Sequence, residues 1–469
     1  MAALAAGGEK DMAGREISIH GQWSSFRAFV LALTGSAVGL GSIWKFGYMA
    51  GENGGGAFIL VYLLCLFAIG VPVMVAEILI GRRGGRNPIG AMHMLAAQEG
   101  RSPWWQGLGW ASVVGGFLVL SYYSVISGWA LAYVFRTAAG MFKGATQEGV
   151  NSIFVRLIST PERLLAWHTL FMLMTVIVVA RGVRHGLEWA VRFLMPVLLV
   201  LLLVVLVYGM NSGAFLQGYY FLFTPDFSRL TVTAVLSAMT YAFFTLHLGM
   251  GAVMAYSAYL PRSMPIVKAS FLVALLDTLV GLLAGLAIFP LVFSRGMKPD
   301  GGPALMFQAL PDAFGHLPGG ALFGTLFFIV LVLAAWTSSI SMLEPTVAWL
   351  VENRGMSRIS AAAWSGAGAW LLGIGTLFSF NITSTDTLWG RTFFDWIDFA
   401  TANVLLPLVG LGTVVFAAWA MTQFSTRDEL ALGEGYMYRT WRVLARYVAP
   451  LALVVIFLHL IGVLSHLHR

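Results

Sequence analysis

Residues 194–210 read LMPVLLVLLLVVLVYGM without one charged side chain. Runs this long and this apolar recur along the sequence, and they limit the fold more than any motif does, because lipid is the only solvent that tolerates them. With 58% of its 469 residues hydrophobic and only 10% charged, the chain cannot hide so much apolar surface in a soluble core. Crossing a bilayer as a helix takes about 20 residues, and these runs lack the two-residue alternation of barrel strands. The expected class is an all-α polytopic membrane protein. A single cysteine, Cys65, falls inside an apolar run, which excludes an internal disulfide and argues against a Cys-rich metal site. The net charge of +7 suits loop lysines and arginines meeting anionic lipid better than it suits nucleic acid. Residues 1–22 are polar, lack a cleavable signal pattern and read as a cytoplasmic tail.

Eleven candidate spans follow: 23–50, 57–81, 107–139, 164–180, 187–210, 230–256, 264–293, 320–351, 357–380, 392–422 and 447–465. Lysines and arginines gather on the side of the first residue. The amino terminus is therefore expected in the cytoplasm and the carboxyl end, LSHLHR, on the periplasmic side of a bacterial inner membrane. The groups GRRGGR, with Arg82, Arg83 and Arg86, and RTWRVLAR, with Arg439 and Arg442, read as interfacial anchors, as do Trp104 and Trp105.

Glycine interrupts two of these spans. The first contains TGSAVGLGSIWKF, with Gly35, Gly39 and Gly41, and the sixth contains TLHLGMGAVM, with Gly249 and Gly251. Their spacing suggests an inverted repeat of two five-helix halves, 23–210 and 211–422, with a cytoplasmic loop and the last span in 423–469. Such glycines also permit close helix packing. Two interruptions in corresponding places favour unwound segments instead, and lipid tolerates their free carbonyls only around a protected cavity. There the positive ends of half-helices can hold a carboxylate while carbonyls coordinate a cation.

WSSFRAFVLALTGSAVGLGSIWKF, followed by AGENGGGAF, resembles the signature of the neurotransmitter:sodium symporters, the family of the bacterial leucine transporter. LSYYSVISGW, AFFTLHLGMGAVMAYSAYL, LDTLVGLLAGLAIFP, WTSSISMLEP and FFDWIDF follow in the family's order. The resemblance is to an eleven-helix bacterial member. It implies a leucine-transporter-like fold with helices one and six broken, and sodium-coupled symport of a neutral amino acid or closely related carboxylate-bearing solute. Alternating access would come from helices one, two, six and seven moving against a scaffold. The alternative is a solute sensor that binds without accumulating, for which the sequence offers no signalling domain. With no HExxH cluster and no nucleophile elbow, an enzyme is not expected.

Site residues are implied by the same resemblance. One sodium would be held by the carbonyls of Gly35, Val38 and Ala334 with the hydroxyls of Thr337 and Ser338; hydroxyls bonding back to their own helix are the plain alternative. A second sodium would meet Ala37, Ser42, Thr245 and Asp277, and Ser42 in place of the family's usual asparagine leaves one or two ions open. An acid in LLDTLVGLL is costly at membrane depth unless it is used. Asp277 would either replace a chloride or bind and release a proton. Tyr62 matches a chloride ligand of relatives, but Gly281 stands where another would be, so chloride is not expected to be required.

The substrate pocket implied comprises Ser36, Ala37, Leu40, Gly41, Val119, Tyr123, Phe244, Thr245, His247, Met250, Ser338 and Met342, with Tyr123 on the cargo's carboxylate and Phe244 as a lid. Gly39 replaces the aspartate of amine transporters, which points to an amino acid. His247 either bonds a polar group of the cargo or turns away to a backbone carbonyl. Lys45 and Asp398 match an outer gate, in which lysine forgoes the bidentate pairing of the usual arginine. Trp23, Glu352 and His20 match an inner gate whose usual arginine is absent, with Arg15 as a substitute and pH-dependent opening as a consequence of histidine. Small solute and bilayer are the expected partners, with a monomer or weak homodimer and no nucleic acid.

Overall fold

The computed structural model describes residues 18–297, 305–433 and 435–466; most of the expected tail, Arg15 included, lies outside the described residues. Among them, nine helices are long and apolar enough to cross a membrane. The pair Phe26–Ala37 and Leu40–Glu52, bent by 64°, makes a tenth when taken as one span. The expected sixth span is likewise divided, into Val232–Phe244 and Ala252–Ala258.

Local chemistry accounts for both breaks. The first helix starts at a Ser25 cap whose hydroxyl accepts from the Ala28 amide at 3.2 Å, and it ends where Val38 turns extended, at ψ 96°. Gly39 continues extended before the helix resumes at Leu40. In the sixth span the chain leaves the helix after Phe244 and passes through left-handed backbone at His247, Gly249 and Gly251, with φ of 52°, 83° and 72°. Glycine reaches that region freely; histidine does so at a cost of about 1 kcal/mol.

Burial sorts the spans into centre and rim. The helix Gly320–Arg354 has 83% of its apolar window buried and Pro103–Ala138 has 72%, against 28% for Tyr436–Leu460, so the first two form the centre and the last faces lipid. The last span begins at Tyr436, eleven residues before the expected 447, so RTWRVLAR is helix. Its apolar side chains are spaced for one face, with Tyr438, Trp441 and Ala445 buried, and low mean hydropathy concealed that face. Arg446 lies over the Trp419 ring at 4.1 Å, and Trp104 is 90% exposed, both as interfacial groups are. Arg82 differs from the expected anchor. It is buried, it donates to the Met264 carbonyl at 2.6 Å, and it pairs with Glu429, tying the end of the second span to the segment after the tenth.

Candidate functional site

The two breaks lie against the central helix and the seventh span, and two clusters of oxygen form there. In the first, the Ser338 hydroxyl lies 3.4, 3.1 and 3.2 Å from the carbonyls of Gly35, Ser36 and Val38. A hydroxyl has one proton, so at most one of these acceptors is served at a time. Thr337 bonds back to Leu333 and Ala334 at 3.1 and 3.0 Å, and a Cβ at Gly35 would come within 3.2 Å of the Thr337 Cβ. Glycine thus lets the first span approach the eighth closely enough for its carbonyls to share a cup with two hydroxyls. Such a set of hard oxygens suits a small monovalent cation.

In the second cluster, Asp277, 1% exposed, accepts from Ser42 at 2.9 Å and from the Thr245 hydroxyl. Ser42 also lies 3.3 Å from the Ala37 carbonyl. The carboxylate therefore joins the first, sixth and seventh spans, and burial requires that it be neutralised by a cation or a proton. Among the described residues, no group of three or more His, Cys, Asp or Glu side chains is placed to hold a metal, so a cation here would rest on carbonyls, hydroxyls and this one acid. Tyr62 bonds Thr278 at 3.0 Å beside it, and a Cβ at Gly281 would lie 2.8 Å from the Phe46 ring, which fills that space.

A cavity of about 480 Å³ opens between these elements. Of the expected pocket residues, Gly41, Tyr123, Phe244, Thr245, His247 and Met250 line it, together with Ser42, Lys45 and Asp398. Ser36, Ala37, Leu40, Val119, Ser338 and Met342 are buried behind that surface. The Tyr123 hydroxyl accepts from the Leu40 amide at 3.1 Å, the first free N–H of the resumed helix. Lys45 and Asp398 both line the cavity, and among the described residues no ion pair joins them. Asn403 and His459 line it as well, His459 from the last span, which sequence reasoning had given no part in the site.

The end bearing Trp23 is closed. Trp23 is 2% exposed and donates to the Tyr256 carbonyl at 2.7 Å. His20 Nε2 meets Glu352 at 3.1 Å, and Asn87 donates its amide and side chain to the same carboxylate, the latter at 2.6 Å. Arg358, unforeseen from the sequence, reaches His20 Nδ1 at 3.4 Å and pairs with the fully buried Glu344, which also accepts from Tyr259 at 2.6 Å. Arginine only donates, so Nδ1 accepts and the proton of His20 lies on Nε2, towards Glu352.

Glu77 was also missed, although an acid in VPVMVAEILI was a visible signal. It is fully buried and accepts from the Gly249 amide at 2.7 Å, satisfying an N–H that the break in the sixth span sets free.

A bundle of apolar spans with two broken helices around a polar cavity defines a multi-pass membrane transporter. The model of the sodium:neurotransmitter symporter family matches residues 20–144 and 156–468, and the chain belongs to that family. It is similar to a Bacillus subtilis sodium-dependent transporter, 41% identical over 448 residues that cover 95% of this chain and 98% of the relative. Similarity extends to the human sodium- and chloride-dependent taurine transporter, at 26% over 476 residues, 90% of this chain and 74% of the other. Among solved structures, MhsT in complex with L-phenylalanine superposes with a TM-score of 0.85 at 40% identity, covering 93% of this chain and 99% of that one. The fold is leucine-transporter-like, and the family consists of sodium-coupled transporters and not enzymes.

Proposed function

We propose that the chain is a symporter that uses the sodium gradient to import a neutral amino acid or a closely related carboxylate-bearing solute across a bacterial inner membrane. The observation that carries this reading is Asp277 bonded to Ser42 and Thr245, one from each broken span, at the edge of the cavity. A sodium ion entering among Ala37, Ser42, Thr245 and Asp277 neutralises the acid and draws both half-helices together. A second ion sits among Gly35, Val38, Ala334, Thr337 and Ser338 and fastens the first span to the eighth. The cargo's carboxylate takes the helix end beside Gly41 and the Tyr123 hydroxyl, where positive dipole and donor coincide. The MhsT complex with an amino acid supports that class of cargo.

Alternating access follows from the difference between the two ends. The Trp23 end is shut by buried rings and ion pairs, while Lys45 and Asp398 line an open cavity, as in an outward-facing state with the amino terminus in the cytoplasm. Helices one and two of the half 23–210 and helices six and seven of the half 211–422 are the moving part, the remaining spans the scaffold, acting in a monomer or weak dimer. Chloride is not required, because Asp277 supplies the fixed negative charge and Phe46 occupies the space at Gly281. Uptake of labelled amino acids into proteoliposomes, with and without an inward sodium gradient, tests this. Accumulation only with the gradient is expected; binding without accumulation would make the protein a sensor.

A further inference from the structure

Exposed apolar side chains on a membrane protein face acyl chains, and where a stripe of them ends at a basic residue the headgroups begin. Two stripes end this way beside Trp23. On helix Ile266–Ser294 the exposed residues Phe271, Leu275 and Leu279 follow one another at helical spacing, and Lys268 precedes them on the same face. On helix Trp189–Met210 the exposed residues are Trp189, Phe193 and Val200, with Arg192 beside them. Helix Phe26–Ala37 packs against both and exposes Arg27 in its first turn. The charges meet around residues 24–27. Lys268 Nζ lies 5.8 Å from the centre of the Phe26 ring. Arg192 Nη2 donates to the Ser24 and Ser25 hydroxyls at 2.6 and 3.3 Å and pairs with Glu188 at 2.8 Å, and Arg184 reaches the Gln22 carbonyl at 3.4 Å. Glu188 also accepts the amide and the hydroxyl of Ser24. Among the described residues no carboxylate pairs with Arg27, Arg184 or Lys268, so this corner keeps an excess of positive charge.

We propose that this corner seats an anionic glycerophospholipid of the leaflet at the Trp23 end, its phosphate held by Arg27, Lys268 and the exposed side of Arg192 and its chains laid along the two apolar stripes. Charge complementarity selects an anionic headgroup over a zwitterionic one, and basic residues from separate helices make a pocket where a single loop would give only diffuse attraction. The stripes select a lipid over a soluble phosphate, because they carry apolar surface away from the charges at the depth where acyl chains lie. In the transport reading Arg27 and Lys268 belong to moving helices and Arg192 to the scaffold, so a headgroup bridging them braces the closed end. The binding itself does not depend on that reading.

The test is native mass spectrometry of the full chain, stripped of lipid in detergent and titrated with dioleoyl-phosphatidylglycerol or with dioleoyl-phosphatidylcholine. The anionic lipid should bind more tightly. Each basic residue near a membrane surface contributes about fivefold in affinity, so Arg27→Gln combined with Lys268→Gln should weaken phosphatidylglycerol about thirtyfold. Arg439→Gln combined with Arg442→Gln, the same loss of charge at the start of the last span, should change the affinity of this seat less than threefold, roughly the scatter of such titrations. Arg27→Lys with Lys268→Arg keeps both charges and should keep the binding. Lys268→Gln alone, about fivefold weaker, carries the test if the double variant does not fold. Glycerol 1-phosphate, the headgroup chemistry without the chains, should not displace the lipid. Equal affinity for the two lipids, an equal loss in both double glutamine variants, or displacement by glycerol 1-phosphate overturns the proposal and leaves the transport reading, tested by uptake, untouched.

Discussion

Replacing Asp277 by asparagine removes one charge and almost no volume, and its effect follows from the geometry. Ser42 and Thr245 donate to different carboxylate oxygens, so in the variant one hydroxyl still donates to the amide oxygen while the other turns to accept from the amide NH2, and the wall of the cavity should stay closed. What is lost is attraction for the cation. A unit charge about 4 Å away, at an effective dielectric near 20, is worth about 4 kcal/mol. A neutral oxygen in the same place keeps about half, as neutral hydrogen bonds compare with charge-assisted ones, so the variant loses about 2 kcal/mol. That corresponds to a roughly thirtyfold rise in the sodium concentration at half-saturation. Uptake into proteoliposomes against external sodium, at saturating cargo, measures it directly. Chloride should not restore the affinity, because the Phe46 ring fills the space beside Gly281 where an anion would have to sit. A shift below about threefold, or recovery in chloride, would refute an ion held by this carboxylate.

Other perturbations have outcomes of known sign. Glu77→Leu leaves the Gly249 amide buried and unpaired and should destabilise the protein by about 1–3 kcal/mol in thermal unfolding, whereas Glu77→Gln keeps an acceptor and should be nearly neutral. Arg358→Leu strands the buried Glu344 carboxylate at a cost of about 3–5 kcal/mol, seen as a lower unfolding temperature and greater reactivity of a cysteine placed near Trp23; adding Glu344→Leu should recover much of the loss. Gly39→Ala places a methyl 2.9 Å from the Tyr123 hydroxyl, pushes it from the Leu40 amide, and should weaken cargo binding about tenfold.

The breaks were legible because glycine in a long apolar run is a local signal, and both interruptions fall where the sequence had them, at Gly39 and around Gly249 and Gly251. Asp277 was legible for the same reason: a charge at membrane depth stands out whatever surrounds it. The start of the last span was not, because an amphipathic helix with arginine on one face has the mean hydropathy of a loop. Arg358 escaped because its partner Glu344 lies on the preceding helix and His20 lies 338 residues earlier in the chain, a meeting that only tertiary packing creates. His459 lines the cavity from a span outside both repeats, so reasoning from the repeats could not reach it.

Diffraction at the thallium absorption edge, from crystals grown with thallium in place of sodium and with a bound amino acid, would locate the ion directly. Peaks bordered by Gly35, Val38, Thr337 and Ser338, and by Ala37, Ser42, Thr245 and Asp277, are expected, with both spans unwound beside them. Density running as continuous helix through Val38 and through residues 245–251, or thallium bound elsewhere, would contradict ion coupling through the broken helices.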